Sequence, residues 1–168
     1  MPDRLAFRIR PATPLDAPLL AKHRVEMFRD MFRARNSPVP DDTLEALRTA
    51  AEPMLGEWVS SGAYLGWLAE PVTRPGLVVG GAGVQLRAML PRPSRDGSAV
   101  VSGPEVYVLN VVVERAWRRR GVAAQLMEHV LTYAKERRLR VVSLHASDDG
   151  RPLYEKLGFL PTNEMRLG

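Results

Sequence analysis

The sequence predicts an α/β fold in which helices flank a mixed, mostly antiparallel sheet that contains one parallel strand–helix–strand crossover. Three observations predict it. The chain has 168 residues, 45% of them hydrophobic and 26% charged, which is typical of a single globular domain over 1–168. Four segments have apolar residues at helical spacing, and others have strand character. A strand over 105–113, a helix over 121–138 and a strand over 141–146 then form a right-handed crossover.

The first half of the predicted fold holds one strand and two helices. A short strand over 7–10 is followed by a Pro-rich turn over 11–14. Apolar residues at helical spacing predict a first helix over 16–32 and a second helical region over 41–58. Pro53 marks a place where the second helix could be interrupted, because proline cannot donate the helical hydrogen bond.

The remaining elements are mainly strands. Segments 64–70 and 77–87 are predicted to pair as strands through a hairpin connection. The segment 90–104 is rich in Pro, Arg, Ser and Gly and is predicted to be a mobile loop. A short helix over 152–157 and a last strand over 159–167, which Pro161 interrupts, complete the prediction.

The composition excludes several kinds of site. The chain has no cysteine, which excludes disulfides, thiolate metal sites and a cysteine nucleophile. Its three histidines are too far apart in sequence to suggest a zinc site, so no metal is expected. The N-terminal segment lacks the apolar stretch of a signal peptide, and no apolar run approaches the roughly 18 residues that span a bilayer. We therefore expect a cytoplasmic protein without a membrane partner.

The charge balance leaves two interpretations of the basic residues. There are 24 Lys and Arg against 19 Asp and Glu, a net charge of +5, and only Lys22, Lys135 and Lys156 are lysines. Arginine donates hydrogen bonds in pairs to phosphate, so an anionic ligand or a nucleic acid is one interpretation. The other is an arginine-rich, solvated surface. Because the net charge is modest and aromatic residues make up only 7%, we expect no nucleic-acid partner.

The segment Trp-Arg-Arg-Arg-Gly-Val-Ala, residues 117–123, lies at the predicted start of the crossover helix. The first turn of a helix carries unpaired N–H groups and the positive end of the helix dipole, which attract phosphate. Gly121 and Ala123 leave room for an oxygen to approach, and the arginines add charged donors. The spacings of a P-loop and of a dinucleotide-binding turn are absent. The segment therefore predicts a different kind of diphosphate site.

This segment resembles the Arg/Gln-x-x-Gly-x-Gly/Ala signature of the GNAT superfamily of N-acetyltransferases, with Arg118, Gly121 and Ala123 at the defining positions. The preceding residues 110–117 are similar to the family's fourth strand and turn. Residues 153–159 are similar to its C-terminal helix and the beginning of its next strand, and the two blocks have the family's spacing. The resemblance covers essentially the whole chain, is specific over 108–159 and is loose over 36–103.

The resemblance implies an N-acetyltransferase that moves an acetyl group from acetyl-CoA to a primary amine by direct attack, with a GNAT-type sheet. The acceptor is expected to be a small-molecule or peptide amine, and a homodimer is compatible with the sequence. Tyr154 matches the tyrosine that protonates the departing thiolate, and Ser147 falls where many members place a cofactor-contacting asparagine. The backbone positions implied to hold the pantetheine arm are Val111, Val112 and Val113, and those implied to hold the pyrophosphate are Arg118, Arg119, Arg120, Gly121, Val122 and Ala123.

The general base stays open at this point. A lysine-like amine with a pKa of about 10.4 requires about 4–5 kcal/mol to lose its proton at pH 7, so a base or a desolvating pocket is needed. Histone-acetylating relatives place a glutamate where this chain has Tyr107. Glu105, acting through a water, is one candidate base, or it is only a solvated residue at the beginning of a strand. His145 on the next strand is the other candidate, or it is structural.

Three further alternatives follow from the same residues. Asn110 could turn its amide into a cleft between diverging strands or satisfy a bulge there. Trp58 and Trp67 could line an acceptor pocket or pack in the core. The alternative function is a non-catalytic module of the same fold that binds CoA or acyl-CoA, which the missing glutamate makes plausible.

Overall fold

Five strands form the main sheet of the computed structural model, which describes residues 6–167; most of the N-terminal segment considered above lies outside the described residues. A further two-stranded hairpin lies outside this sheet. In chain order the strands are β1 (Phe7–Pro11), β2 (Leu65–Pro71), β3 (Gly80–Arg87), β4 (Arg92–Pro93), β5 (Val100–Val101), β6 (Glu105–Val113) and β7 (Val141–Leu144). The sheet order is β1-β2-β3-β6-β7, and only β6 and β7 are parallel. The predicted mixed, mostly antiparallel sheet is confirmed.

Helices cover both faces of this sheet. They are α1 (Ala17–Ala34), α2 (Asp41–Ser61), α3 (Val122–Glu136) and α4 (Arg151–Lys156). Because side chains alternate along a strand, Trp67 and Ala69 of β2 pack on the α3 side, whereas Leu68 packs on the side of α1 and α2. Within residues 6–167, no helix combines the length and the apolarity needed to cross a membrane.

The structure corrects three details of the prediction. Helix α2 runs without a break through Pro53, which is exposed, so water can reach the carbonyl that the proline leaves unbonded. The segment 90–104 is not simply a loop, because it contains the short hairpin of β4 and β5. The predicted last strand over 159–167 is wrong: these residues form no strand. Pro161 cannot donate to a sheet there.

Strand β6 carries a bulge opposite Ala82 of β3. Gly81 pairs with Val112 and Gly83 pairs with Leu109, so two residues of β6 lie opposite one residue of β3. Asn110, at the bulge, has a φ of 54°, which is rare outside glycine. On its other edge β6 pairs with β7 only over 105–108, and beyond this point the two strands separate. The separation opens a cleft beside the C-terminal half of β6.

Candidate active site

A cavity of about 610 Å³ fills the cleft between β6, β7 and the first two helices. Its lining brings together several residues that were predicted from the sequence as site residues: Val111, Val112, Val113, Arg118, His145, Ser147 and Tyr154. Glu105 is not among the residues that line it. That carboxylate lies at the beginning of β6, in register with Arg87 and Val141.

The backbone of β6 at Val111, Val112 and Val113 forms one edge of the cavity. These residues pair with β3 on one side, and β7 has already ended on the other. The carbonyl of Val113 accepts a 3.1 Å hydrogen bond from Nε of Arg118. The backbone groups of β6 that can pair with an added extended chain are therefore mainly those of Val111 and Val112.

The start of α3 has the backbone geometry expected of an anion site. Gly121 precedes the helix with a φ of 85°, and Arg119 also has a left-handed φ, of 63°. A glycine adopts this conformation without strain, whereas a side chain there would be strained. The first helical hydrogen bond runs from the Gln125 N–H to the Gly121 carbonyl, so the intervening N–H groups point out of the helix. Of the residues predicted to hold the pyrophosphate, Arg118 lines the cavity, whereas the others do not: Arg119, Arg120, Gly121, Val122 and Ala123.

Two of the nearby arginines are held by one carboxylate. Asp30 of α1 accepts hydrogen bonds from Arg118 and, at 2.7 Å, from Arg115. Burial alone would raise the pKa of Asp30, but the hydrogen bonds from the two arginines lower it below its ordinary value. Arg120 lies over the ring of Trp117, 5.1 Å from its centroid. The positive charge at the start of α3 therefore comes partly from Arg115 and Arg118, which Asp30 partly neutralises and holds in position. Arg120 adds to it and is held against Trp117.

Tyr154 projects from α4 into the cavity and is half-buried. Burial raises the pKa of its hydroxyl, so the group keeps its proton at neutral pH and can donate it. The ring packs edge-on against Phe159, with centroids 5.9 Å apart. A Cβ at Gly150 would approach the ring to 2.9 Å, so the glycine allows this close contact. Ser147 also lines the cavity, and its hydroxyl accepts a 3.2 Å bond from the Gly150 N–H.

A chain of hydrogen bonds joins three side chains at the cavity rim. The hydroxyl of Tyr107 is hydrogen-bonded to Nδ1 of His145, and Nε2 of His145 lies 2.6 Å from the carboxylate of Glu164. In the neutral tautomer that carries its proton on Nε2, His145 donates to the ionised Glu164 carboxylate and its Nδ1 accepts from Tyr107. The guanidinium of Arg166 also lies 3.1 Å from Nε2. The hydrogen bond with His145 lowers the pKa of Glu164. Arg166 lies beside the pair, 3.7 Å from Glu164.

The sequence did not indicate that Glu164 belongs to this site. It lies 19 residues beyond His145 in the segment that was predicted to be a strand. Tyr107 was noted only as the residue that replaces a glutamate. The alternation of β6 gave one usable signal, since Tyr107 and the lining residue Leu109 share one face.

A buried polar cluster lies at the bulge. Arg24 of α1 donates a 2.8 Å hydrogen bond to Oδ1 of Asn110, and the Asn110 amide lies 3.5 Å from the hydroxyl of Tyr64. Burial raises the pKa of Tyr64 to about 12. Asn110 therefore satisfies the bulge and also lines the cavity. Of the two tryptophans considered, Trp58 lines the cavity, whereas Trp67 packs in the core.

The described residues contain no group of three or more histidine or acidic side chains arranged to hold a metal ion.

Comparisons with known proteins agree with this arrangement. The family model described as the acetyltransferase (GNAT) family matches residues 25–159. A GCN5-related N-acetyltransferase from Ralstonia eutropha JMP134 is 29% identical, with a TM-score of 0.81 over 97% of this chain and 98% of its own. A predicted acetyltransferase from Clostridium acetobutylicum, solved with acetyl-CoA, is 24% identical, with a TM-score of 0.73 over 97% and 96% of the two chains.

A third similar structure is the aminoglycoside N-acetyltransferase AAC(6')-Iy in complex with CoA. It is 19% identical, with a TM-score of 0.61 over 100% of this chain and 97% of its own. No curated protein matches the chain significantly. The family match spans most of the sequence, including the cleft and the start of α3, and the chain therefore belongs to the GNAT family of acetyltransferases.

Proposed function

We propose that this protein transfers an acetyl group from acetyl-CoA to a primary amine by direct attack. The observation that carries the proposal is the separation of β6 from β7 beside the start of α3, in a chain of this family. The separation leaves an open backbone edge and a set of outward N–H groups next to one cavity. An extended arm that ends in a diphosphate has the shape and charge to bind both features.

The two features would hold different parts of the donor. The open edge at Val111 and Val112 would pair with the amides of the pantetheine arm, as an added strand does. The N–H groups between Arg118 and Ala123 would hold the pyrophosphate. Ser147, whose hydroxyl lies at the same cavity, would make a further contact.

The proposed transfer forms a carbon–nitrogen bond and breaks the carbon–sulfur bond of the thioester. The amine nitrogen gives its proton to the Tyr107 oxygen as Tyr107 passes its own proton to Nδ1 of His145. The Glu164 carboxylate stabilises the imidazolium that results. Tyr154 donates its proton to the leaving sulfur and regains one from solvent. His145 is preferred to Glu105 as the base because it lines the cavity.

Acetyl-CoA binding tests the donor half of this proposal. Gly121→Ala places a Cβ at the helix start, where the backbone has a left-handed φ, and we expect acetyl-CoA affinity to fall about tenfold, which corresponds to about 1.4 kcal/mol. Gly76→Ala is the matched control, because Gly76 has nearly the same φ, 84°, in the loop between β2 and β3. Calorimetric titration should show unchanged affinity for this control. If the wild-type protein does not bind acetyl-CoA, the proposal fails.

Release of free CoA thiol in the presence of primary amines tests the transfer itself. Amine-dependent release is expected, with one acetylated amine formed for each thiol. Tight binding of acetyl-CoA without release for any amine would favour the non-catalytic CoA-binding module instead. The expected homodimer and the expected cytoplasmic location remain predictions.

A further inference from the structure

Helices α1 and α2 form one wall of the cavity, and each contributes residues from a single face. Four of the α1 lining residues follow the spacing i, i+3, i+4 and i+7, which places them side by side. Helix α1 also contributes Asp30, which is paired with Arg115 and Arg118, and Arg35 lies just beyond the helix. Apart from these two and Arg24, the lining side chains of the two helices are apolar or aromatic. We call this surface the acceptor wall; it consists of Arg24, Met27, Phe28, Met31, Met54 and Trp58.

Arg24 is the charged residue of the acceptor wall. Its guanidinium donates one hydrogen bond, to the neutral amide of Asn110, and lies over Phe28, 5.0 Å from the ring centroid. No carboxylate among residues 6–167 lies within 4.0 Å of it. Arg10, by contrast, holds two carboxylates. A guanidinium has five N–H donors, so Arg24 can still bind an anion in the cavity.

The same wall lacks a free negative charge. Among the described residues, Asp30 is the one carboxylate that α1, α2, β2 and β3 contribute to the cavity lining, and it already holds Arg115 and Arg118. A polycationic acceptor would therefore meet Arg24 without a free carboxylate on this wall to offset its charge. The other carboxylates that line the cavity, Asp148 and Asp149, lie in the turn before α4 and not on this wall. An acceptor with an anionic group would instead gain a charge-assisted pair.

The position of Arg24 limits the distance between the anionic group of the acceptor and its reacting amine. Arg24 is one hydrogen bond away from Asn110, and Asn110 immediately precedes the open edge at Val111. Under the proposed function this edge holds the arm that carries the acetyl group. The anion and the amine of the acceptor must therefore be close together. A carboxylate on the carbon that bears the amine meets this condition.

We propose that the acceptor is an α-amino acid with an apolar side chain, whose carboxylate binds Arg24 and whose side chain packs against the methionines of the acceptor wall. Methionine side chains are flexible and adapt to apolar groups of different shape. This inference rests on the proposed function. The new carbon–nitrogen bond forms at the α-amine, the thioester carbon–sulfur bond breaks, and the products are an N-acetyl amino acid and CoA.

The test compares each amino acid with its own carboxamide. Thiol release is measured with methionine, leucine and phenylalanine, with their carboxamides, and with spermidine and kanamycin as polycations. The wild-type kcat/KM is expected to be at least about tenfold higher for the acids than for the amides, about 1.4 kcal/mol. A carboxamide or a polycation that reacts as fast as the acids would overturn the inference.

Arg24→Gln removes the charge while retaining a donor for Asn110. The ratio of kcat/KM for the acid to kcat/KM for its carboxamide should therefore fall to about one. Arg24→Lys should keep part of the preference. The control is Arg33→Met on the same helix, since Arg33 is exposed and lines a different cavity. A preference that persists in Arg24→Gln would overturn the inference.

If the protein binds acetyl-CoA but acetylates none of the three acids, the inference is wrong, although the donor half of the proposed function stands. If acetyl-CoA itself does not bind, the proposed function fails as well. Calorimetry with acetyl-CoA on each variant separates the two cases.

Discussion

The Nε2 atom of His145, just beyond the end of β7, is hydrogen-bonded at 2.6 Å to Glu164 in the segment that follows α4. The other ring nitrogen of His145 is bonded to the Tyr107 hydroxyl. Arg166, from the same C-terminal segment, also lines the cavity. A segment without regular secondary structure thus takes part in the site, because it contacts the imidazole that follows β7.

The first prediction concerns this chain of three side chains. Glu164→Gln removes the charge that faces the imidazolium, so kcat should fall by about tenfold or more, within the range usual for lost acid–base assistance. Tyr107→Phe removes the hydroxyl and should lower kcat similarly. Because both act through His145, the double variant should lose little more than either single variant.

Steady-state kinetics with a fixed acceptor measures these losses. The KM for acetyl-CoA should not change, since the donor contacts are elsewhere in the cavity. Tyr133→Phe, on α3 against Trp67, is the control and should leave kcat unchanged. Fully additive losses in the double variant would contradict a shared path for the proton.

The second prediction concerns the hydroxyl of Tyr154. Tyr154→Phe keeps the edge-on packing against Phe159 but removes the proton donor. We expect turnover to fall about 10²–10⁴-fold, the usual contribution of a positioned acid. The affinity for acetyl-CoA should stay the same. Single-turnover rates and calorimetric titration measure the two quantities separately, and an unchanged rate would show that the hydroxyl is not the acid.

The third prediction concerns the dependence of stability on pH. Hydrogen bonds from Arg10, and then from Thr13, lower the pKa of Asp16 from its usual 3.8 to about 2. The ionised pair therefore stabilises the fold fully above about pH 4, and this contribution is lost as the pH falls through about 2. At pH 7, Asp16→Asn should lower the free energy of unfolding by about 1 kcal/mol, after allowance for solvent screening.

Urea unfolding at pH 7 and near pH 2 tests this prediction, and most of the difference from wild type should be lost at the lower pH. Asp96→Asn is the matched control. The pKa of Asp96 is also lowered to about 2, by hydrogen bonds from Ser94 and Ser98, but the group is exposed in the loop between β4 and β5. Its replacement should leave global unfolding unchanged. A difference at Asp16 that is independent of pH would contradict the role of the ion pair.

The fourth prediction concerns the close approach of Gly83 to Tyr64. A Cβ on Gly83 would lie 2.0 Å from the Tyr64 oxygen, which is buried beneath Asn110. Gly83→Ala must displace the ring and should cost about 1–3 kcal/mol of stability. Gly56→Ala on α2 meets only a 3.6 Å contact and should stabilise the helix by about 0.5–1 kcal/mol. Thermal unfolding should show a lower midpoint temperature for Gly83→Ala and a higher one for Gly56→Ala. Equal shifts in the two variants would refute the steric argument.

The sequence by itself predicted the segments of the proposed donor half of the site. The strand at 105–113, the helix start at Gly121 and the crossover follow one another along the chain, and each has a local or periodic sequence pattern. The mostly antiparallel sheet and the flanking helices followed from the same periodicities. The last strand was predicted wrongly, because a short apolar run that contains a proline fits a strand in composition but not in hydrogen bonding.

Only the tertiary structure brought together the residues of the proposed acceptor half. Arg24 and Asn110 are 86 residues apart, Tyr107 and His145 are 38 apart, and neither pair has a local signal. Glu105 and Tyr107 differ by two positions on one strand, yet only Tyr107 lines the cavity. Periodicity shows which face a residue occupies. It does not show which residues of that face meet in a cleft. This depends on where β6 separates from β7 and on how α1 packs across them, and both are set by contacts between residues distant in sequence.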